Sequence, residues 1–189
     1  MQLDPRQLKP MQLPDPETLL AEFTAKINAQ VDLYSQAYTA LVGIHSGGVW
    51  LMNRVLENIK QTIPDSIVSF GTLDAAMYRD DYAKRGLKSE SKPSNITFDV
   101  TNKHIILIDD IFYTGRTTRA AMNELFDYGR PASITLAVLI NRGGAELPIT
   151  PNIVGATILL EPHENLQLSQ DTTENNRGKL HLTLENNDG

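Results

Sequence analysis

Ile105-Ile106-Leu107-Ile108-Asp109-Asp110-Ile111-Phe112-Tyr113-Thr114-Gly115-Arg116-Thr117 decides the fold. Its first four residues form an apolar run with no polar alternation, as expected of a strand covered on both faces in a parallel sheet. Asp109 to Thr117 reads as a turn, and a helix follows over roughly 117–128, with Ala121, Leu125 and Tyr128 among its apolar positions. Gly129-Arg130-Pro131 stops that helix. A strand that delivers two carboxylates to its C-terminal end, followed by a Thr-Gly-x-Thr turn into a helix, sits where open α/β sheets bind ligands.

The neighbouring segments repeat this plan. Tyr38 to Ile44 is a short apolar run that ends in His45-Ser46-Gly47-Gly48, after which Val49, Leu51, Met52, Val55, Leu56 and Ile59 resume helical spacing. Ser66 to Leu73 and Ser133 to Ile140 are further strand candidates. Asp15-Pro16-Glu17 combines an N-cap, a proline at the first helical position and an acid in the first turn, and Leu19, Leu20, Phe23, Ile27 and Val31 then share one face. Strands alternating with helices imply an α/β fold, a mostly parallel sheet with helices on both faces. Residues 1–14, with Pro5, Pro10 and Pro14, read as an N-terminal arm. Residues 15–189 read as a single domain whose C-terminal segments, about 141–185, form a small hood; Lys179 to Leu184 alternates strictly, as an antiparallel strand with one wet face does. Arg79 to Asn95 is almost wholly polar and reads as a functional or disordered loop.

Composition narrows the function. The chain has 189 residues with formal charge -6 and a sequence pI near 5.2, which argues against a surface-wide grip on nucleic acid or anionic lipid. It has no cysteine, so disulfides, thiol nucleophiles and thiolate metal sites are excluded. Neither a basic leader followed by an apolar run nor a run of about 18 apolar residues occurs, so a soluble cytoplasmic protein without a membrane partner is expected.

The 105–117 string suits a sugar phosphate. Unpaired N–H groups of the first helical turn can hold a phosphate, aided by the Thr114 and Thr117 hydroxyls, while Gly115 allows close backbone approach. Asp109 and Asp110 can accept hydrogen bonds from vicinal ribose hydroxyls. In a straight strand they point to opposite faces, so both meet one ribose only if the chain turns there. His104, His163 and His181 share no helical spacing with one another or with a common acid, so no protein-built metal site is indicated.

These thirteen residues resemble the phosphoribosyl-pyrophosphate (PRPP) binding motif of type I phosphoribosyltransferases. The resemblance extends over roughly 15–168 to the PyrR family, regulators of pyrimidine-operon attenuation that are also uracil phosphoribosyltransferases. Met77-Tyr78-Arg79-Asp80-Asp81, Arg119-Ala120-Ala121-Met122, Asp127-Tyr128-Gly129-Arg130-Pro131 and Glu146-Leu147-Pro148-Ile149 carry it beyond the motif. It implies the type I phosphoribosyltransferase fold and a glycosyl transfer for pyrimidine salvage, in which uracil and PRPP give UMP and pyrophosphate with Mg2+ bound mainly through PRPP. It also implies a homodimer or a higher assembly of dimers.

Carried over by position, Asp109 and Asp110 hold the ribose hydroxyls, and Tyr113, Thr114, Gly115, Arg116 and Thr117 cradle the 5′-phosphate. Ile44-His45-Ser46-Gly47 corresponds to the pyrophosphate loop, where many relatives have Lys-Thr-Arg in place of His45-Ser46-Gly47. Pyrophosphate then leans on backbone N–H groups, Ser46 and a protonated His45, although His45 reads equally well as a solvated or capping histidine. Arg142 matches a substrate-contacting arginine, and Leu166 falls where backbone bonds to the base are offered. Arg79, with the basic stretch Lys84-Arg85-Lys88, belongs to the flexible loop that closes over type I sites; read alone, that charge run is a solvated loop.

Two other functions stay open. One is an RNA-binding regulator responsive to uridine nucleotides, with weak or no catalysis. The turn that carries arginines in RNA-binding relatives has Ala145 and Thr150 at basic positions, and the helix from Pro16 to Gln30 offers only Lys26, so RNA binding is expected to be lost or altered. The other is a nucleotide sensor whose pyrophosphate loop is disabled by the missing cations.

Overall fold

A computed structural model describes residues 12–75, 93–161, 163–176 and 178–186. Arg79, the stretch Met77 to Asp81, the basic residues Lys84, Arg85 and Lys88, and the arm up to Met11 therefore lie outside the described residues. The chain runs through α1 (Pro16–Tyr34), a 3-10 turn at Gln36–Tyr38, β1 (Thr39–Ile44), α2 (Gly47–Thr62), β2 (Ser69–Leu73), β3 (His104–Phe112), α3 (Arg116–Asp127), β4 (Ser133–Asn141), β5 (Ile153–Thr157), β6 (Glu164–Gln170) and β7 (Leu180–Asn186).

The first five strands make one parallel sheet in the order β2-β1-β3-β4-β5, with Val42 opposite Leu107 and Leu107 opposite Leu136. Side-chain parity divides its core. Leu41, Ile106, Ile108 and Leu139 pack with Phe23 and Ile27 of α1 and with Leu51, Met52 and Val55 of α2. Ala40, Val42, Ile105, Leu107, Leu136 and Val138 pack with Ala121 and Leu125 of α3. Both faces are covered, as the unbroken apolar runs require.

The structure corrects four details of the sequence reading. Strand β3 continues through Phe112, because Asp109, Ile111 and Phe112 still pair with Val138, Ile140 and Asn141 of β4; ladder pairing outweighs the poor strand preference of the acids. Residues 109–112 are thus strand and not turn. Tyr128 lies beyond the end of α3 and is 41% exposed, so it leaves the apolar face to Ala120, Ala121 and Leu125. Of the short apolar pieces Asn152 to Gly155 and Thr157 to Leu160, the first, continued through Thr157, forms β5, which extends the main sheet beside β4, while Ile158 to Leu160 lie outside any strand, so the hood begins later than 141. Its first strand, β6, lies in a stretch where no strand was expected.

The hood is the antiparallel pair β6–β7, with Leu166 opposite Leu184 and Leu168 opposite Leu182. Leu166, Leu168 and Leu180 are buried in the α1–α2 side of the core. Glu17 pins it there. Its carboxylate accepts from Arg54 Nη2 at 2.7 Å, from Arg54 Nη1 at 3.3 Å and from the Leu180 N–H at 2.9 Å, while Arg54 Nη1 also donates to the Gly178 carbonyl at 3.2 Å. Among the described residues no helix is long and apolar enough to cross a membrane.

Candidate active site

Strands β1 and β3 are neighbours, yet the helices that follow them cover opposite faces of the sheet. That reversal opens a crevice at the C-terminal ends of the two strands, the place where doubly wound sheets bind ligands. The loops after β1, β3 and β4 carry His45-Ser46, Tyr113-Thr114-Gly115 and Arg142-Gly143-Gly144 to this rim.

On one side, α2 starts almost in contact with β3. A Cβ on Gly48 would lie 2.2 Å from the Ile108 carbonyl oxygen, and one on Gly47 would lie 2.2 Å from Asp110 Oδ2. The glycine pair therefore lets the helix end press against the acidic part of the strand. The His45–Ser46 peptide is cis, and the His45 N–H donates to the Leu73 carbonyl at 2.9 Å. Ser46 is the N-cap of α2, but its side chain makes no capping bond, and no acid occupies the first turn.

Asp109 and Asp110 are each 5% exposed. Asp110 lies against the start of α2, as its contact with Gly47 shows. The core contacts then change parity, with Ile111 on the α1–α2 side and Phe112 on the α3 side. Asp109 Oδ1 accepts the Asp110 N–H at 2.9 Å.

On the other side, Gly115 takes φ +89° as the N-cap of α3. No other L-residue adopts that conformation cheaply, and only side-chain atoms at 3.5 Å or more surround its missing Cβ. Buried Thr114 accepts the Arg116 N–H on its hydroxyl at 3.3 Å, and its carbonyl accepts the Glu146 and Leu147 N–H groups at 3.0 and 3.3 Å. The 144–148 turn thus props the loop from below. Thr117 is half-buried in the first turn, while the Arg116 guanidinium reaches an exposed ion pair with Glu146. No acid lies in the first turn of α3 either.

Arg142 is 9% exposed. Its guanidinium carbon stands 3.8 Å from the centre of the Tyr113 ring, Nη2 donates to the Glu164 carbonyl at 3.0 Å, and Nη1 reaches Asn165 Oδ1 at 3.5 Å. Leu166 is the next residue of the same hood strand. His45, Ser46, Asp109, Asp110, Tyr113 to Thr117 and Arg142 thus share one rim, with Leu166 tied to it through Arg142. The roles of Gly47 as a contact point and of Glu146 as the partner of Arg116 escaped the sequence reading. The Gly47-Gly48 doublet was the visible signal for the first; the second needs the fold.

Among the described residues no group of three or more His, Asp or Glu is arranged to hold a metal. Two buried carboxylates suit Mg2+, a hard cation that keeps several waters and is commonly bound through one or two acids plus substrate phosphates.

Comparison with known proteins agrees with this geometry. A family model described as phosphoribosyl transferase domain matches residues 12–163. Solved structures of a hypoxanthine phosphoribosyltransferase from Staphylococcus aureus (TM-score 0.57, 22% identity, 82% of this chain and 80% of that one) and of a hypoxanthine-guanine phosphoribosyltransferase from Bacillus anthracis (TM-score 0.59, 15% identity, 82% and 85%) share the fold. Sheet, rim and family match define a phosphoribosyltransferase. "Bifunctional protein PyrR" of Pseudomonas fluorescens is 45% identical over 159 residues, 84% of this chain and 92% of that protein, and its namesake from Nitrosococcus oceani is 42% identical over 164 residues. Within the phosphoribosyltransferases this chain belongs to the PyrR family.

Proposed function

We propose that this phosphoribosyltransferase joins N1 of uracil to C1 of the ribose of PRPP, releasing pyrophosphate and giving UMP. The observation that carries the reading is the pair of helix N-termini, α2 and α3, which lack both a capping bond from the N-cap side chain and a first-turn acid, and which flank two buried carboxylates at the switch point. Two anion sites with an acceptor pair between them suit a sugar that carries a phosphate at one end and a diphosphate at the other.

In this reading the N-terminal turn of α3, with Thr114 and Thr117, holds the 5′-phosphate. His45, Ser46 and the start of α2 hold the pyrophosphate, which departs with its bonding electrons as C1 gains positive charge. Asp109 and Asp110 accept ribose hydroxyls and oppose that charge. Mg2+, when bound with PRPP, neutralises the leaving diphosphate. Uracil N1 gives up its proton as the new bond forms, the departing pyrophosphate taking it up, and the backbone near Leu166 selects the base.

The test is pyrophosphate release from PRPP and Mg2+ with uracil, guanine, hypoxanthine, adenine and orotate in turn, with Asp109→Asn as the blank. Turnover with uracil alone is expected. Turnover of guanine or hypoxanthine without uracil overturns the base assignment, and binding of PRPP without turnover of any base points to a sensor. For RNA, the exposed residues Ala145, Glu146 and Thr150 offer no cation, so salt-dependent binding of a pyrimidine leader RNA is expected to be weak or absent. Tight binding at physiological ionic strength would reverse that.

A further inference from the structure

Arg142 uses its two chemistries on different parts of the molecule. The guanidinium carbon lies over the Tyr113 ring, 3.8 Å from its centre, and its donors run to the Glu164 carbonyl and Asn165 Oδ1. The backbone of the same residue is anchored to the sheet, since the Arg142 N–H donates to the Phe112 carbonyl at 3.0 Å. Tyr113 in turn rests against Gly144, where a Cβ would lie 2.6 Å from the ring. Ring, guanidinium and backbone are thus packed with no spare room, and the cation is nine-tenths buried. A buried cation of this kind persists only with its stack and its acceptors intact.

The two ends of this chain of contacts matter to different parts of a nucleotide. Tyr113 and Thr114 begin the loop that leads to the bare end of α3, and Glu164 and Asn165 open β6, immediately before Leu166. Within the uracil phosphoribosyltransferase reading above, the first end meets the 5′-phosphate and the second meets the base. We infer that Arg142 is a positioning residue that mounts the start of β6 on the Tyr113 ring, so that the base-selecting backbone of the hood is held in register with the phosphate loop.

Arginine suits this task and lysine does not. A guanidinium stacks through its face while donating from its edge, whereas an ammonium is a single point of charge without a plane. A tyrosine hydroxyl is not needed, only the ring. The mount therefore predicts sensitivity to Tyr113→Leu, a change some distance along the chain from the base, and tolerance of Tyr113→Phe.

The test uses the full chain and two readouts, the KM for uracil at saturating PRPP and hydrogen exchange at the amides of residues 164–168 without ligand, with exchange at β1 as the check on folding. Tyr113→Leu and Arg142→Lys are each expected to raise the uracil KM about tenfold and to speed exchange in β6 by a similar factor. The double variant is expected to be no worse than the worse single, because both break one link. Tyr113→Phe, which keeps the ring, should leave exchange in β6 within about twofold of wild type. The inference is overturned if Tyr113→Leu leaves uracil KM and β6 exchange within about twofold of wild type, or if the two changes multiply to about a hundredfold, since independent sites multiply. If the wild type consumes no uracil while exchange in β6 still rises in Tyr113→Leu and Arg142→Lys but not in Tyr113→Phe, the mount stands and the base assignment falls.

Discussion

Helix α1 begins differently from α2 and α3. Asp15 caps α1 by accepting the Thr18 N–H at 3.0 Å and the Thr18 hydroxyl at 2.8 Å, Pro16 takes the first helical position, and Glu17 adds an acid to the first turn. Helices α2 and α3 begin at Ser46 and Gly115 with no capping bond from the N-cap side chain and no acid in the first turn. The first N–H groups of any helix need acceptors, and supplying them internally stabilises the fold. The chain gives the scaffold helix a cap from its N-cap side chain and gives none to the two at the rim, where the Thr114 hydroxyl accepts the Arg116 N–H; in the proposed reading their other first-turn donors meet phosphate. The two bare ends also differ from each other. Gly47 and Gly48 are required by contact, because a Cβ would strike Asp110 and the backbone of β3, whereas Gly115 is required by handedness, at φ +89°.

The largest effect is expected at the carboxylates between the bare ends. Asp109→Asn keeps the shape and the hydrogen bond to the Asp110 N–H but removes a charge, so it should lower turnover about a hundredfold or more with little change in Tm. Steady-state rates beside a thermal melt check this, and normal turnover would mean the site is misplaced. Next come the glycines, which separate contact from handedness. Gly48→Ala forces a methyl group toward the Ile108 carbonyl and should cost about 1–3 kcal/mol through displacement of α2. Gly115→Ala meets its neighbours only at ordinary van der Waals distances, so its cost is mainly the left-handed backbone, about 1–2 kcal/mol. Denaturant unfolding of both variants measures the difference; a Gly48→Ala protein as stable as wild type would contradict the close approach. Thr117→Val removes one hydroxyl from the α3 end and should weaken PRPP by about 1 kcal/mol, roughly fivefold, while leaving folding alone. A calorimetric titration that finds unchanged PRPP affinity would move the 5′-phosphate away from α3.

Most of the fold was legible because its signals are local. The apolar runs at 105–108 and 133–140, the start signals at Asp15-Pro16-Glu17 and the Gly-rich turn at 45–48 each name their element without reference to the rest of the chain. Pairing was not legible. The four residues after Ile108 look like a turn, yet they stay in β3 because β4 offers them a ladder, and β5 joins the main sheet for the same reason. Glu164-Asn165-Leu166-Gln167-Leu168 alternates too weakly to announce β6, which is held by β7 and by the leucines it buries. In the site, the residue types were visible in the motif, but not the close approach of Gly47 to Asp110. The Arg54–Glu17 and Arg142–Tyr113 contacts join residues far apart in sequence, and no spacing rule reaches them.

The smallest expected effect sharpens the contrast between capped and bare ends on the pH axis. The Thr18 side-chain and backbone hydrogen bonds hold the Asp15 carboxyl below its ordinary 3.8. For Glu17, partial burial opposes ionisation, but the hydrogen bond from Arg54, the Leu180 N–H and the Arg54 charge outweigh it and hold the group below its ordinary 4.5. A carboxyl whose folded pKa is depressed lends stability that is fully present above its unfolded value and is lost as pH falls through the folded one. The capped end should therefore contribute unchanged from neutral pH down to roughly 4.5 and fade below that, modestly because Asp15 is fully exposed. The bare ends should behave otherwise. A phosphate monoester dianion takes up a proton near pH 6 (pKa about 6), so stabilisation by PRPP should decline between about pH 7 and 5.5, before the carboxyls respond. Thermal melts of wild type and Asp15→Asn from pH 3 to 7, with and without PRPP, resolve the two windows. Asp15→Asn should flatten the fall below about pH 4.5 and leave the PRPP-dependent part intact. If it instead removed the PRPP-dependent part, α1 would belong to the ligand site and the division between a capped scaffold and bare rim would be wrong.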